Sequence, residues 1–504
     1  MLYSVKQLRQ IEQSASKRGR AEPLMSAAGT SAAAYAEELI SAPGQSAEQA
    51  SSGPILVLAG PGNNGGDAFE CAAQLARGGH AVHILHWPPK ASKSGKPASS
   101  ADREAALQKA AACTSVSWLA ADTNLGDSYA LVIDGLFGIG VSEKTLPPVL
   151  HKQIAQVNTM TCPVLALDIP SGLDADTGHR VAPIAVQATH TLTFIGDKPG
   201  LHTCDGRDFS GVVRVDDLGV APALFPESQM TLNSSALFPL IRERRRHNSN
   251  KGSNGTVELI GGAGGMQGAL LLASRAALFC GAGRVIAGFI DSPPAYDAPQ
   301  PEIMCRLAVK MNIETDSVIV IGPGSGNSIT SFELLSRALL AANLLVIDAD
   351  ALNLMAQQPA LIALCNGRNQ STTILTPHPL EAARLLSTDV NTVQRDRLSA
   401  AKTIARRYSA IVILKGSGTV IADPDGNIVI NPTGNAGLAS GGTGDVLAGT
   451  CGALAAQHKN LWQAALAAVY MHGAAADNLV RQGVGPVGLC AGELLPEIRK
   501  IVNQ

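Results

Sequence analysis

Short apolar runs that end in glycine, proline or an acid recur along this chain, and stretches with helical spacing separate them. In the first half, Ile55–Gly60 reads as a buried strand, Pro61–Gly66 as a turn and Asp67–Arg77 as a helix. Ala130–Asp134 and Val164–Asp168 repeat the buried strand, each closing on an aspartate. Residues 88–103 read as a polar loop, and 219–235 as a linker carrying Pro and Ser without a clear period. A second series then begins, with Thr256–Ile260, Ser317–Ile321, Leu344–Asp348, Thr372–Leu375 and Ile411–Leu414. Strands that are apolar throughout are buried on both faces, so the pattern predicts an α/β protein built on parallel sheets. The change of series places a boundary near residue 222, giving domains 1–222 and 223–504.

Composition narrows the function classes. A chain of 504 residues has room for several domains. With 46% hydrophobic and 16% charged residues it is not a disordered chain. Lys+Arg (39) and Asp+Glu (41) nearly cancel, which argues against nucleic-acid or membrane-surface binding driven by bulk charge. The basic run Arg242–Arg246 reads as a solvated face. The nine cysteines are scattered without a C-x-x-C pair, as expected of reduced thiols in a cytoplasmic protein. The first twenty residues lack the apolar core of a secretory signal, and Arg275 and Arg284 break the apolar stretch Ala269–Ile290.

The first turn, Gly60-Pro-Gly-Asn-Asn-Gly65, has the G-x-G-x-x-G spacing between a strand and a helix. Glycines there let a phosphate approach the backbone at a helix N-terminus. A dinucleotide site also wants an acid at the end of the second strand, and His80–Trp87 offers none. Three strand ends instead supply Asn64, Asp67, Asp134, Asp168 and Ser171. Such hard oxygens suit acid/base work or a cation, and capping of helices is the plainer alternative for each. His80, His83 and His86 alternate faces on a strand, which speaks against a shared zinc ion.

In the second half, Gly261–Gly268 opens a helix at Ala269, and Gly322–Gly326 follows a strand. Asp348-Ala-Asp350, Thr376-Pro-His378-Pro and Lys415-Gly-Ser-Gly-Thr419 close later strands. Asn435–Asp445 then runs into a helix read as Val446–Leu454. Gly441, Gly442 and Gly444 leave backbone N–H groups for an anion, and Asp445 beside them fits a general base for a hydroxyl attacking phosphorus. Asp445 as a mere helix cap, Lys415 as an exposed lysine and His378 as a rigid loop residue are the competing readings.

Taken in order, GPGNNGGDA, DGLFGIG, DIPSGLDADTG, GPGSG, DADALN, TPHPLEAARLL, KGSGT and GLASGGTGDVLAG resemble the bifunctional NAD(P)H-hydrate repair (YjeF) family. The resemblance implies a Rossmann-like three-layer αβα epimerase followed by a ribokinase-like α/β dehydratase that uses ADP and Mg2+. It implies that Asn64, Asp134 and Ser171 hold K+. Asn63, Asn64, Gly65, Gly66, Asp67, Asp168 and the run Gly138, Ile139, Gly140, Val141, Ser142, Glu143 and Lys144 match positions that bind the hydrated NADH or NADPH. In the dehydratase, Ala269, Gly326, His378 and Asp445 match substrate positions, while Lys415, Gly416, Ser417, Gly418, Thr419 and Gly444 match nucleotide positions. Asp445, Asp134 and Asp168 are the expected catalytic carboxylates. Ala68, Ser325 and Leu380 depart from the family's Gly, Leu and Gly without removing any of them. A homo-oligomer acting on small molecules, with no nucleic acid or membrane, is expected. The alternative is a ribokinase-like sugar or vitamin kinase carrying a non-catalytic ligand-binding module.

Overall fold

The computed structural model describes residues 1–18, 22–41, 53–89, 100–126, 128–140, 147–312 and 316–504. The chain divides into two compact units, Met1–Ser228 and Gln229–Gln504. The break falls after 222 because the intervening residues pack backward. The Phe225 ring packs tilted against that of Tyr3, with centroids 5.6 Å apart, and the Ser228 hydroxyl donates to the Leu2 carbonyl at 2.5 Å.

The first unit is a seven-stranded parallel sheet. Its strands are β1 (Ile55–Ala59), β2 (Val82–His86), β3 (Val116–Leu119), β4 (Leu131–Gly135), β5 (Val164–Leu167), β6 (His190–Phe194) and β7 (Val212–Asp216), in the order β3-β2-β1-β4-β5-β6-β7. The central strands β1, β4 and β5 are buried at every position, which is why they read as unbroken apolar runs. One face packs on helices Leu24–Ile40 and Asn63–Arg77, the other on Pro148–Val157. The helix expected from Asp67 begins at Asn63, so both asparagines lie in its first turn. Residues 101–103, expected in a loop, start the helix Ala101–Ala111.

The second unit is a ten-stranded sheet of β8 (Met230–Leu232), β9 (Thr256–Gly261), β10 (Arg284–Phe289), β11 (Met304–Leu307), β12 (Val318–Ile321), β13 (Leu344–Ile347), β14 (Thr373–Leu375), β15 (Ile411–Leu414), β16 (Val420–Ala422) and β17 (Ile428–Ile430). Their order is β11-β10-β9-β12-β13-β14-β15-β16-β17-β8, parallel except where β16 pairs antiparallel with β15 and β17. The expected linker therefore contains a strand: β8 adds to the edge beside β17, a partner too remote in sequence and too short for a local pattern to reveal. Helices Gln267–Phe279, Thr443–His458 and Leu461–Arg481 cover the core on one face. Two of them start earlier than expected, at Gln267 rather than Ala269 and at Thr443 rather than Val446. Among the described residues, no helix is long and apolar enough to cross a membrane.

Candidate active sites

In each unit the predicted residues gather at the carboxyl ends of adjacent parallel strands, where open α/β sheets place their ligand crevice. In the first unit these are β1, β4 and β5. The turn after β1 is close-packed: a Cβ on Gly60 would lie 1.7 Å from the Leu136 carbonyl oxygen, so no other residue fits. Asp134, at the end of β4, is fully buried. One carboxylate oxygen accepts the Ser171 hydroxyl at 2.7 Å, the other the Ser171 N–H at 2.8 Å, and the Leu136 N–H adds a bond at 3.2 Å. Burial raises the Asp134 pKa to about 6, against the pull of these donors. Asn64 donates to the Leu167 carbonyl at 3.1 Å, and its own amide oxygen is buried with no partner. A Cβ on Gly138 would touch both Asn64 and Asp168, which sets the 138–140 turn against the two. Asn63 accepts from Ser100 at 3.1 Å at the rim.

Asp168 follows β5 with φ 70°, a left-handed conformation uncommon outside glycine. Its oxygens accept the Ile139 N–H at 3.3 Å and pair with Lys198 at 2.7 Å. Lys198 is fully buried and also donates to Thr193 Oγ1 and to the carbonyls of Phe194 and Gly196. Such a pair persists because losing either partner leaves a charge buried alone. Asp67 is pushed well above the ordinary carboxylate range by burial and by the charge of Asp168. Glu12, on the helix Val5–Lys17, is raised in the same way. The expected residues Val141, Ser142, Glu143 and Lys144 lie outside the described residues.

Sequence reasoning did not find Lys198, Glu12 or Arg103. The run Asp197-Lys-Pro-Gly200 just beyond β6 was the available signal for the first. Arg103 is buried against the first turn, donating to the Gly60 carbonyl at 3.1 Å and lying 2.9 Å from His86 Nε2. The other two histidines go elsewhere, His80 to Glu37 and His83 against the Tyr129 ring.

In the second unit the ends of β9, β12, β13, β14 and β15 face the start of helix 443–458. Ala263 N–H donates to the Gly324 carbonyl at 2.7 Å, and a Cβ on Gly324 would lie 3.3 Å from that of Ala269. The glycine turn after β9, Ala269 and the Gly326 loop are thus one wall. On the other side, Lys415 Nζ lies 2.9 Å from Asp348 Oδ1 and 3.9 Å from Glu381, and a Cβ on Gly444 would be 3.3 Å from it. Burial opposes the lysine's charge, but Asp348, Glu381 and Asp445 outweigh it and raise its pKa. Lys415 is therefore a held cation, not a solvated strand-end residue. The Gly416–Thr419 turn is backed by buried Arg397, which donates to the carbonyls of Leu414 and Lys415 and was not legible in the sequence. Thr419 closes the turn with a bond to the Gly416 carbonyl at 3.1 Å.

Asp445 is the third residue of helix 443–458. Gly442, with φ 90°, is the N-cap and no side chain caps this helix. The cap reading of Asp445 accordingly has no hydrogen bond behind it. Burial and then the charge of Asp348 raise the Asp445 pKa to about 7, with Lys415 opposing and Asp350 adding. His378 does cap a helix. Its Nδ1 accepts the N–H groups of Leu380 and Glu381, which puts the ring proton on Nε2, 3.2 Å from Glu381. Burial and Lys415 lower its pKa, so it is neutral at pH 7, with a partly exposed ring edge.

A family model described as YjeF-related protein N-terminus matches residues 21–200, and one described as NAD(P)H-hydrate dehydratase matches 257–498. The bifunctional NAD(P)H-hydrate repair enzyme Nnr of Coxiella burnetii is 36% identical over 516 aligned positions, covering 100% of this chain and 99% of the relative. The ADP-dependent (S)-NAD(P)H-hydrate dehydratase of Neisseria meningitidis is 41% identical, covering 55% of this chain and 95% of its own. A crystal structure of the ADP/ATP-dependent NAD(P)H-hydrate dehydratase from Bacillus subtilis, co-crystallized with ATP/Mg2+, is similar at 33% identity and TM-score 0.45, covering 52% of this chain and 96% of that one. With both family models matched in order and a relative aligned along its whole length, the chain belongs to the bifunctional NAD(P)H-hydrate repair enzymes.

Proposed function

We propose that this chain repairs hydrated NADH and NADPH in two steps, one in each unit. The first unit interconverts the R and S hydrates. The second transfers the terminal phosphoryl group of ADP to the ring hydroxyl of the S form, leaving AMP. Phosphate is then expelled as the carbon–oxygen bond breaks, a ring proton is lost and the double bond returns. The observation that carries this reading is Asp445, poised near neutrality at a helix N-terminus beside Lys415. Backbone N–H groups at Gly442–Gly444 hold the moving phosphoryl group, Lys415 meets its charge, and Asp445 takes the hydroxyl proton. Asp348, Glu381 and Asp445 outnumber Lys415 there, so a magnesium ion brought in with the nucleotide would fit this site and would supply positive charge against the transferring phosphoryl group.

Potassium fits the first site on chemical grounds. The unpartnered Asn64 amide oxygen and the buried Asp134 carboxylate are the hard oxygens that such a cation takes, and the Ser171 hydroxyl lies between the strand ends. Bound by Asn64, Asp134 and Ser171, the ion supplies a fixed positive charge. Asp168, held by Lys198, and Asp67, raised well above the ordinary carboxylate range by burial and by the charge of Asp168, are then the groups placed to exchange protons with the ring hydroxyl.

All nine cysteines are free thiols, which fits a cytoplasmic setting, and a homo-oligomer is part of the proposal. Incubating hydrated NADPH with ADP tests the function, with return of reduced-nicotinamide absorbance and release of phosphate expected. A stable phosphorylated product without phosphate release would instead indicate a small-molecule kinase.

The two steps should also separate physically. Residues 1–228 and 229–504, expressed apart, are each expected to fold and to keep one activity. Ending the first piece at 222 strips Leu224 and Phe225 from the cluster around Tyr3 and Leu8. Full burial of such a side chain is worth about 1.5–3 kcal/mol and these two are partly buried, so thermal melting should show the shorter piece to be weaker by a fraction of that. Equal melting temperatures would show that residues 223–228 do not belong to this unit.

A further inference from the structure

The segment Asp348-Ala349-Asp350 closes β13, between the nucleotide loops on one side and the substrate wall on the other, and none of the roles above uses it. Its two carboxylates serve different loops. Asp348 Oδ1 accepts from Thr376 Oγ1 at 2.6 Å and from Lys415 Nζ at 2.9 Å, and the residue is 1% exposed. Asp350 Oδ2 accepts the Gly326 N–H at 2.9 Å. Ala349 between them has φ 48°, a left-handed turn that costs an alanine energy and that the surroundings enforce. The Asp348 carbonyl also fills the space beside Gly322, where any Cβ would lie 1.8 Å from it. One three-residue corner therefore ties the ends of β12, β13, β14 and β15 together.

We propose that Asp348 and Asp350 are positioning residues with divided tasks, Asp348 fixing the lysine that meets the nucleotide and Asp350 fixing the loop that borders the hydrate. The proposal rests on the dehydratase reading of this site and on the assignment of Lys415 to nucleotide and Gly326 to hydrate. Both carboxylates act in this proposal through the groups they hold, Lys415 and the Gly326 N–H. Asn at 348 keeps an acceptor for Thr376 and loses the charge that holds Lys415. Ala at 350 frees the Gly326 N–H, whereas Asn at 350 leaves it an acceptor. A hydrogen bond to a charged group is worth enough for about a tenfold effect.

Steady-state dehydration by the full chain tests this, varying ADP and hydrate in turn. Asp348→Asn is expected to raise KM for ADP about tenfold and leave that for the hydrate within about threefold. Asp350→Ala is expected to do the reverse, and Asp350→Asn to recover most of the loss. The carboxylates also face Asp445, with Lys415 as the opposing charge, so the acid limb of kcat/KM should move to lower pH in both Asn variants. If Asp348→Asn does not fold, Asp348→Glu, which displaces the charge by one methylene, carries the same expectation for ADP alone. Both constants rising together in each variant, or neither rising, would overturn the division of tasks. Absence of dehydration in the unaltered chain would instead refute the reading of the site itself.

Discussion

Asp445→Asn should cut dehydration by at least about 10², because general-base help is typically worth about 10²–10⁴. Asparagine keeps the shape and the hydrogen-bonding oxygen but cannot take the hydroxyl proton. It also caps helices about as well as aspartate, so a residue that only capped helix 443–458 would tolerate the exchange. The backbone groups at Gly442–Gly444 and Lys415 remain, so ADP affinity is expected to stay within a few-fold, and epimerisation is untouched. The pH profile gives an independent reading. A base must be ionised, and Asp445 is raised to about 7, first by burial and then by Asp348. The kcat/KM of the unaltered chain should therefore fall as pH drops through 7, to about one tenth at pH 6. The residual rate of the variant should not follow that limb. Near-normal turnover in Asp445→Asn would remove the base role.

Much of this arrangement was legible because parallel strands buried on both faces leave unbroken apolar runs, and several runs here end on or just before a residue proposed for the site. Asp134, Asp168, Asp348 and Lys415 were all visible at such ends. What the sequence hid depends on distance along the chain. The edge strand β8 has three residues and a partner in β17. Lys198, Arg103 and Arg397 are buried charges that each reach a partner far along the chain, and nothing local separates them from solvated lysines and arginines. Helix starts were set too late at Asn63, Gln267 and Thr443, because glycine-rich segments read as turns although glycine is tolerated in a first helical turn. That error has a chemical consequence at Asp445. As the third residue of a helix that no side chain caps, Asp445 has a carboxylate left over for the base role proposed above.

Asp134→Ala should abolish epimerisation while dehydration of the S hydrate continues, since the two sites belong to separate units. The alanine also strands the Ser171 N–H and the Leu136 N–H, which Asp134 accepts, and leaves the Ser171 hydroxyl only the Phe137 carbonyl at 3.3 Å. A buried donor left unsatisfied costs about 1–3 kcal/mol, so lost activity in this variant alone could reflect a loosened fold. Asp134→Asn separates the two causes. It fills the same volume and keeps acceptor capacity for part of the network, but it removes the negative charge that the proposed potassium ion requires. Ion binding is then read without any turnover. A ligand at 100 times its dissociation constant stabilises the folded state by about 2.7 kcal/mol, so replacing a bulky organic cation by potassium should raise the melting temperature of the 1–228 unit. In Asp134→Asn that rise should vanish along with epimerase activity, and the melting temperature without potassium should fall less than in Asp134→Ala, because one acceptor oxygen remains. A potassium-dependent rise that survives in Asp134→Asn would place the ion elsewhere, and equal loss of epimerisation and dehydration in Asp134→Ala would sink the assignment of this carboxylate to the first site.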